Sequence, residues 1–406
     1  MEKSYVSSAE IIAAEQEAII QTYKRFPAVL TKGMGAEAFS PEGKRYLDLT
    51  SGIGVNALGY CDPEWVAAVS RQAATLNHTS NLYYTQPCAE LAQKLTALSG
   101  MKGVFFGNSG AEANEGMIKV ARKYSFDRYG EGRNRILCLQ NSFHGRTVTT
   151  LAATGQDSFH THFFPFTEGF AYLPAGDKDA LNAAMDGTVC GIMVEMIQGE
   201  GGVVPLDAEY IQAVAALCQE KDILLLVDEV QTGIGRTGKV FSFQHYGVTP
   251  DCVSLAKGLG GGLPIGAVMV GEKCKETLSA GTHGSTFGGN PIVCAGALAV
   301  LDRIAEEAFL EEVSAKGELL RSLLEELPQI KEVRGKGLML GAVVQEGLTA
   351  GQIAGACVEA GLLILTAKTL LRFLPPLTIT EEELREGVAI LAEVLKAAEQ
   401  AASAQQ

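Results

Sequence analysis

The chain is short of positive charge. It carries 33 lysines and arginines against 47 aspartates and glutamates, a formal net charge of −14. Without a basic excess there is no counterion release to gain, so nucleic acid and anionic membrane surfaces are poor partners. Acidic runs such as Glu381-Glu382-Glu383 read as solvated helix faces. No apolar run approaches the roughly 18 residues that span a bilayer, and the N-terminus has no apolar core behind a basic head. The nine cysteines (Cys61, Cys88, Cys138, Cys190, Cys218, Cys252, Cys274, Cys294 and Cys357) are scattered singly, and no C-x-x-C occurs. An odd, unclustered set argues against a disulfide framework and fits free thiols in a reducing compartment. These absences point to a cytoplasmic protein. Histidine is scarce, with six in the chain. His160 and His162 form an H-x-H, but no Cys or carboxylate set accompanies them, which argues against a metal site. No Gly-Lys is followed by Ser or Thr, so a P-loop is excluded. Repeats and long low-complexity linkers are missing too.

What is present is ordinary for a folded protein: 406 residues, 47% hydrophobic and 20% charged. At roughly 150 residues per domain the length allows two or three domains. Ile11, Ile12, Ala14, Ile19 and Ile20 suggest a loosely amphipathic helix over residues 8–23. Ala36–Phe39, the turn Ser40-Pro41-Glu42-Gly43-Lys44 and Arg45–Leu49 read as strand, turn and strand. From Pro63 onward helical stretches alternate with short apolar strands: Val104–Phe106, Arg135–Leu139, Gly191–Glu195, Ile223–Val227 and Cys252–Leu255. Connections of crossover length make this a mostly parallel α/β sheet. Helical patterns follow over Val293–Ile304 and Phe309–Leu327. Strands are expected at Val333 and Leu338–Val344, a helix over Ala350–Ala360, and apolar stretches at Leu362–Leu365 and Leu370–Phe373. Thr380 and Glu383 form a capping-box pattern that opens the last helix, and Gln400–Gln406 reads as a frayed tail. The expected division is an N-terminal segment (1–50) joining a small domain, a large domain (51–305) and a smaller α+β C-terminal domain (306–406).

Chemistry is concentrated at the ends of the expected strands. Ile223–Val227 is a buried parallel strand by its length and composition, and it ends in Asp228. Ligands of open α/β sheets sit beyond such carboxyl ends. Cys252–Leu255 leads to Lys257, followed by Gly258-Leu259-Gly260-Gly261-Gly262, which lets other groups approach closely. An acid and a glycine-flanked lysine on nearby strand ends suit pyridoxal phosphate, which a lysine holds as a Schiff base while an acid faces its pyridinium nitrogen. An ordinary ion pair at a sheet edge is the plain alternative. Gly107-Asn108-Ser109-Gly110-Ala111-Glu112-Ala113 lies between a strand and a helix carrying Met117, Val120, Ala121 and Tyr124, so its backbone N–H groups could bind a phosphate. A simple turn with an ordinary N-cap would look the same. Gly233-Ile234-Gly235-Arg236-Thr237-Gly238 matches G-x-G-x-x-G, but Lys239-Val240-Phe241-Ser242-Phe243 does not open a helix there, so it is not a dinucleotide site.

Asn108–Ala113, Phe143-His144-Gly145-Arg146-Thr147, Gln198-Gly199-Glu200-Gly201-Gly202, Asp228-Glu229-Val230-Gln231-Thr232-Gly233 and Lys257-Gly258 occur in this order. The set resembles the class III, omega-amino-acid aminotransferases. Ser51–Val55, Gly284–Pro291 and Arg334–Met339 extend the resemblance over essentially the whole chain. One departure is Met196, where the family usually has proline. The resemblance implies a fold-type-I homodimer with pyridoxal 5'-phosphate between domains and subunits. It makes Lys257 the Schiff-base lysine and proton carrier, and Asp228 the acid at the pyridine nitrogen. Gln231 is implied at the ring hydroxyl, Phe143 and Val230 on the two ring faces, and Glu229 also among the cofactor contacts. Ser109, Gly110 and Ala111, with Thr286 reaching across from the other subunit, are implied at the phosphate. Arg146, Ser285 and Arg372 would meet substrate, the arginines as bidentate carboxylate clamps. Glu200 would be a gate, pairing with Arg372 for the amine donor and releasing it for the second carboxylate of 2-oxoglutarate. The implied donor is N-alpha-acetylornithine. Ornithine, succinylornithine, 4-aminobutyrate and N-succinyl-diaminopimelate are alternatives within the class, and a glutamate-semialdehyde aminomutase is a rival of another reaction class.

Overall fold

The computed structural model describes residues 7–403. A seven-stranded sheet forms its centre, in the order Gly103–Gly107, Gly266–Val270, Cys252–Leu255, Leu224–Asp228, Val189–Val194, Arg135–Leu139 and Phe170–Leu173. The last five are parallel, and Gly266–Val270 runs antiparallel to both of its neighbours. All five strands read from the sequence are present, within two residues at each end. Two were not read: Phe170–Leu173 at the edge, and Gly266–Val270. The second did carry a signal, an apolar run bounded by Pro264 and Gly271. The strands Val189–Val194 and Leu224–Asp228 are buried throughout, as expected of parallel strands covered on both faces.

Helices Gly110–Tyr129 and Ala208–Glu220 cover this sheet, with Pro63–Thr75, Gln86–Ser99 and Pro291–Ile304 packed together beyond it. A second sheet is antiparallel, in the order Ile330–Lys336, Met339–Val344, Leu370–Phe373 and Leu365–Ala367. The N-terminal strands Lys32–Met34, Glu37–Phe39 and Arg45–Asp48 form a third sheet, completed by Leu362–Leu363, which pairs in parallel with Leu47 and Asp48. One apolar cluster runs from the Leu47 strand through the central sheet to Leu391 and Leu395 of the last helix.

Two ends differ from expectation. The first helix spans Ser8–Ala18, opened by a Ser7–Glu10 capping box, and the backbone is extended at Ile19. None of its residues is buried, so no packed face carries it on to residue 23. The last helix, Glu381–Ser403, continues into the expected tail as far as Ser403, buried along Leu384, Val388, Leu391 and Leu395; residues 404–406 lie outside the described ones. Its Thr380–Glu383 box forms as read, with Thr380 N donating to Glu383 Oε2 at 2.8 Å and Glu383 N to Thr380 Oγ1 at 3.1 Å. Among the described residues no helix is long and apolar enough to cross a membrane.

Candidate active site

The carboxyl ends of the sheet converge on a cavity of 460 Å³. Asp228 closes its own strand, and Lys257 stands two residues beyond Leu255. Asn108–Ala111 follow the Gly103–Gly107 strand, Glu195 follows Val194, and Phe143 follows the Arg135–Leu139 strand. Each group is thus presented by a turn leaving a rigid strand, the arrangement expected of open α/β sheets.

Asp228 is 3% exposed and fully engaged. Its Oδ2 accepts from Asn114 Nδ2 at 2.7 Å and from His144 Nδ1 at 2.8 Å, and its Oδ1 accepts from Val230 N at 3.0 Å. A carboxylate can only accept, so His144 carries its proton on Nδ1. His144 Nε2 is buried without a hydrogen-bond partner among the described residues. Asn114 also holds the His144 backbone, Nδ2 to O at 2.7 Å. Sequence reasoning gave no role to Asn114 or His144. Asn114 did carry a signal: it is the polar member of the stripe Asn114, Met117, Ala121, Tyr124, at helical spacing on a buried face.

Lys257 sits in the left-handed region, at φ 44°. That is a strained position for a residue with a side chain, of a kind that clusters at functional sites. Burial pulls its pKa down, Glu200 opposing and Arg372 adding. The chain's single tryptophan borders the following turn, with Trp65 Nε1 donating to Gly260 O at 3.1 Å.

The helix Gly110–Tyr129 starts at the cavity. Ser109 caps it, accepting from Glu112 N at 3.1 Å, and Asn108 N and Nδ2 both donate to Glu112 Oε2. The first-turn N–H groups of Gly110 and Ala111 have no intrahelical acceptor and lie on the cavity wall. Gly110 is required there: a Cβ would stand 2.7 Å from Val230 Cγ1. Phe143 and Val230 supply apolar walls.

Glu195 lies beneath Phe143, accepting from Phe143 N at 3.0 Å and from Gly199 N at 3.3 Å. Burial pushes it up to about 7, with His144 opposing and Asp228 adding. Sequence reasoning saw it only as a strand end.

On the far side Glu200 Oε1 meets Arg372 Nη1 at 2.5 Å and Gln231 Nε2 at 3.4 Å. Arg372 is 3% exposed, and its Nε is buried without a partner among the described residues. Its strand pairs with Gly341 on one side and Leu365 on the other. Burial acts upward on Glu200, but Arg372 and Lys257 together bring it below its ordinary value. Arg146 is at the rim, exposed, 4.1 Å from the Phe159 ring centre and 5.6 Å from that of Phe143.

Four expected residues do not line this cavity, and one of them is Arg372, which reaches it only through Glu200 on the wall. Glu229 is turned away from it: its carboxylate accepts from Ser242 Oγ at 2.7 Å, Phe243 N at 2.8 Å and Thr232 Oγ1 at 2.7 Å. Those donors take both oxygens, so the expected cofactor contact through this side chain is corrected to a structural one. Ser285 Oγ accepts from Asn108 Nδ2 at 3.2 Å, bordering the cavity. Thr286 is exposed and lines a separate groove with His78, Asn81, Tyr83 and Tyr84. The Gly233–Gly238 loop opens no helix, as expected; the next helical turn is the short Ser242–His245. His160 is engaged at home, Nε2 lying 3.0 Å from Leu151 O, and no three His, Cys, Asp or Glu among the described residues could hold a metal.

The family model for class III aminotransferases matches residues 19–395. The chain belongs to that family. This class III aminotransferase is 54% identical to the acetylornithine aminotransferase of Haemophilus ducreyi, over 96% of this chain and 99% of that one. It is 47% identical to the enzyme of the same name from Methanocaldococcus jannaschii, over 96% and 98%. Among solved structures, an ornithine aminotransferase from Toxoplasma gondii with partial occupancy of PLP at its active site aligns with TM-score 0.93 at 32% identity, covering 98% of this chain and 97% of that one. N-acetylornithine aminotransferase from Stenotrophomonas maltophilia aligns with TM-score 0.83 at 38% identity, over 95% and 98%. The cofactor is therefore pyridoxal phosphate, and the fold is that of the pyridoxal-dependent transferases. The residues fit that group. An engaged buried acid, two apolar faces, a helix start able to bind phosphate and a buried amine surround one cavity.

Proposed function

We propose that this enzyme moves the terminal amino group of N-alpha-acetylornithine to 2-oxoglutarate, giving N-acetylglutamate semialdehyde and glutamate. The observation that carries the reading is the ion pair of buried Arg372 with half-buried Glu200, whose charges both act on Lys257. A site for both substrates must accept a donor with one free carboxylate and an acceptor with two. A buried guanidinium left without a partner is costly. Glu200 neutralises Arg372 while the donor is bound, and yields it to the second carboxylate of the acceptor. Arg146, free of ion pairs among the described residues, holds the carboxylate farther from the reacting carbon.

When bound, pyridoxal phosphate supplies a carbonyl for the amine and a ring that draws electron density from the reacting carbon. Lys257, the buried amine on the cavity wall, would hold it covalently. Burial favours the neutral amine, so Nζ can take a proton from the substrate carbon and return it. Asp228, oriented by Asn114, His144 and Val230 N, keeps a proton at the pyridine nitrogen. Phe143 and Val230 would cover the two ring faces, Gln231 would meet the ring hydroxyl, and Ser109, Gly110 and Ala111 would bind the phosphate.

The same reading makes the enzyme a homodimer. Thr286 serves the partner's phosphate site and Ser285 touches substrate. Support comes from the exposed Leu82, Tyr83, Tyr84 and Phe287 around that loop, an apolar patch of the kind that marks an interface. Residues 51–305 then form the large domain, and 1–50 join 306–406 in the small one. Nine free thiols suit a reducing cytoplasm, where arginine biosynthesis would use the reaction.

The test is a panel of amine donors with 2-oxoglutarate, scored by glutamate formed. N-acetylornithine should lead. Ornithine is the second reading, favoured by the close structural match to an ornithine aminotransferase. Turnover without 2-oxoglutarate would instead point to an aminomutase.

A further inference from the structure

The G-x-G-x-x-G stretch has no part in the chemistry above, yet it delivers an unusual side chain. Arg236 is 2% exposed and lies against no carboxylate among the described residues. Its Nη1 donates to Leu338 O at 3.0 Å and to Pro375 O, and its Nη2 to Ser51 Oγ at 3.5 Å. Its own carbonyl accepts from Leu338 N at 3.0 Å. Ser51 Oγ passes the contact on, donating to Leu374 O at 2.6 Å, while Leu374 N donates to Leu49 O at 2.8 Å. Three distant pieces of chain meet on one guanidinium. They are the start of the Met339–Val344 strand, the Leu374-Pro375 exit from the Arg372 strand, and the Ser51–Val55 loop, whose Val55 lines the cavity. Only a rigid fork with several donors reaches acceptors that diverge in this way. The loop that carries Arg236 leaves directly from Asp228 and Glu229, with Gly233 N bonded to Glu229 O at 2.9 Å.

We propose that Arg236 is a positioning residue for substrate specificity. It fixes the exit of the Arg372 strand, and the start of the Met339–Val344 strand paired with it, to the strand that carries Asp228, and so sets how far the Arg372 guanidinium stands from the reacting carbon. The inference rests on the reading of Arg372 as the clamp for the acceptor's second carboxylate. It predicts that loosening Arg236 harms ligands with two carboxylates and spares those with one.

The experiment titrates glutarate and pentanoate, chains of equal length with two carboxylates and one, into the pyridoxal form of the holoenzyme. Binding is read by calorimetry and by the visible absorption. Arg236→Met should weaken glutarate about tenfold, equivalent to about 1.4 kcal/mol, and leave pentanoate within about twofold. Arg236→Lys, which keeps the charge but not the fork, should show a smaller selective loss. Ser51→Ala, which removes one arm and serves if the arginine variants do not fold, should shift glutarate in the same direction. Equal losses for both ligands, or none for either, would overturn the inference. Arg372→Ala is run beside them. If it loses the preference for glutarate while the Arg236 and Ser51 variants keep it, the positioning role falls alone. If it keeps the preference, the reading of Arg372 has failed first.

Discussion

Arg146 lines the cavity and Arg372 stands behind its Glu200, and the two arginines are held in opposite ways. Arg146 stands at the rim, its guanidinium over the Phe159 ring with no anion against it among the described residues. Arg372 is sunk in an antiparallel strand and already neutralised by Glu200. An exposed cation can meet any carboxylate that arrives. A buried, paired cation can do so only if its present partner gives way. The difference shows how one pocket could receive ligands of unlike charge without leaving a naked buried ion in either state.

The largest effect should come from below both arginines. Lys257→Ala should abolish multiple turnover and the visible absorption of the covalently held cofactor. Cycling at near the original rate would make another lysine the nucleophile and deprive both clamps of a common centre. Asp228→Ala should leave cofactor attachment possible and slow both half-reactions alike, by roughly a thousandfold, or about 4 kcal/mol. Half-reaction rates that do not change would remove the acid from its role.

The next prediction separates the arginines. Arg372→Ala should slow the 2-oxoglutarate half-reaction by about a hundredfold, or about 3 kcal/mol, with little effect on the donor half-reaction. Glu200→Ala should make glutamate a relatively better donor than N-acetylornithine. Single-turnover spectra with each substrate alone supply the measurement. Equal losses in both half-reactions for Arg372→Ala would mean that the buried arginine is structural.

The smallest effect concerns Glu195. Its folded pKa of about 7 lies above the ordinary value of 4.5, so the folded state holds a proton that the unfolded state releases. Stability from this group is complete below about pH 4.5 and is lost as pH rises towards 7. Glu195→Gln should therefore gain on the parent enzyme across that window, by about 1–3 kcal/mol or a few degrees in Tm. Parallel Tm curves for the two proteins over that range would contradict the raised pKa.

Much of this was legible because strand ends carry the chemistry. Ile223–Val227 and Cys252–Leu255 are short apolar runs that stop at polar residues, and Asp228 and Lys257 follow. What escaped was orientation. Asp228 and Glu229 are neighbours, so a turn at the strand's end sends one carboxylate to the cavity and the other to Ser242 and Phe243, a segment whose approach no local pattern announces. His144 and Glu195 meet Asp228 only through the pairing of separate strands. Gly266–Val270 was missed because an antiparallel strand among parallel ones breaks the alternation on which the reading leaned.

Trp65 closes against the carbonyl of Gly260, three residues past Lys257. It is the chain's single indole, so the protein's tryptophan emission, excited at the red edge where tyrosine does not absorb, comes from one known place. A tilt of the glycine turn behind the lysine would alter the solvent and the hydrogen bond felt by that one chromophore. The enzyme thus carries a built-in optical gauge for its active-site turn, readable in a stopped-flow fluorimeter without any label.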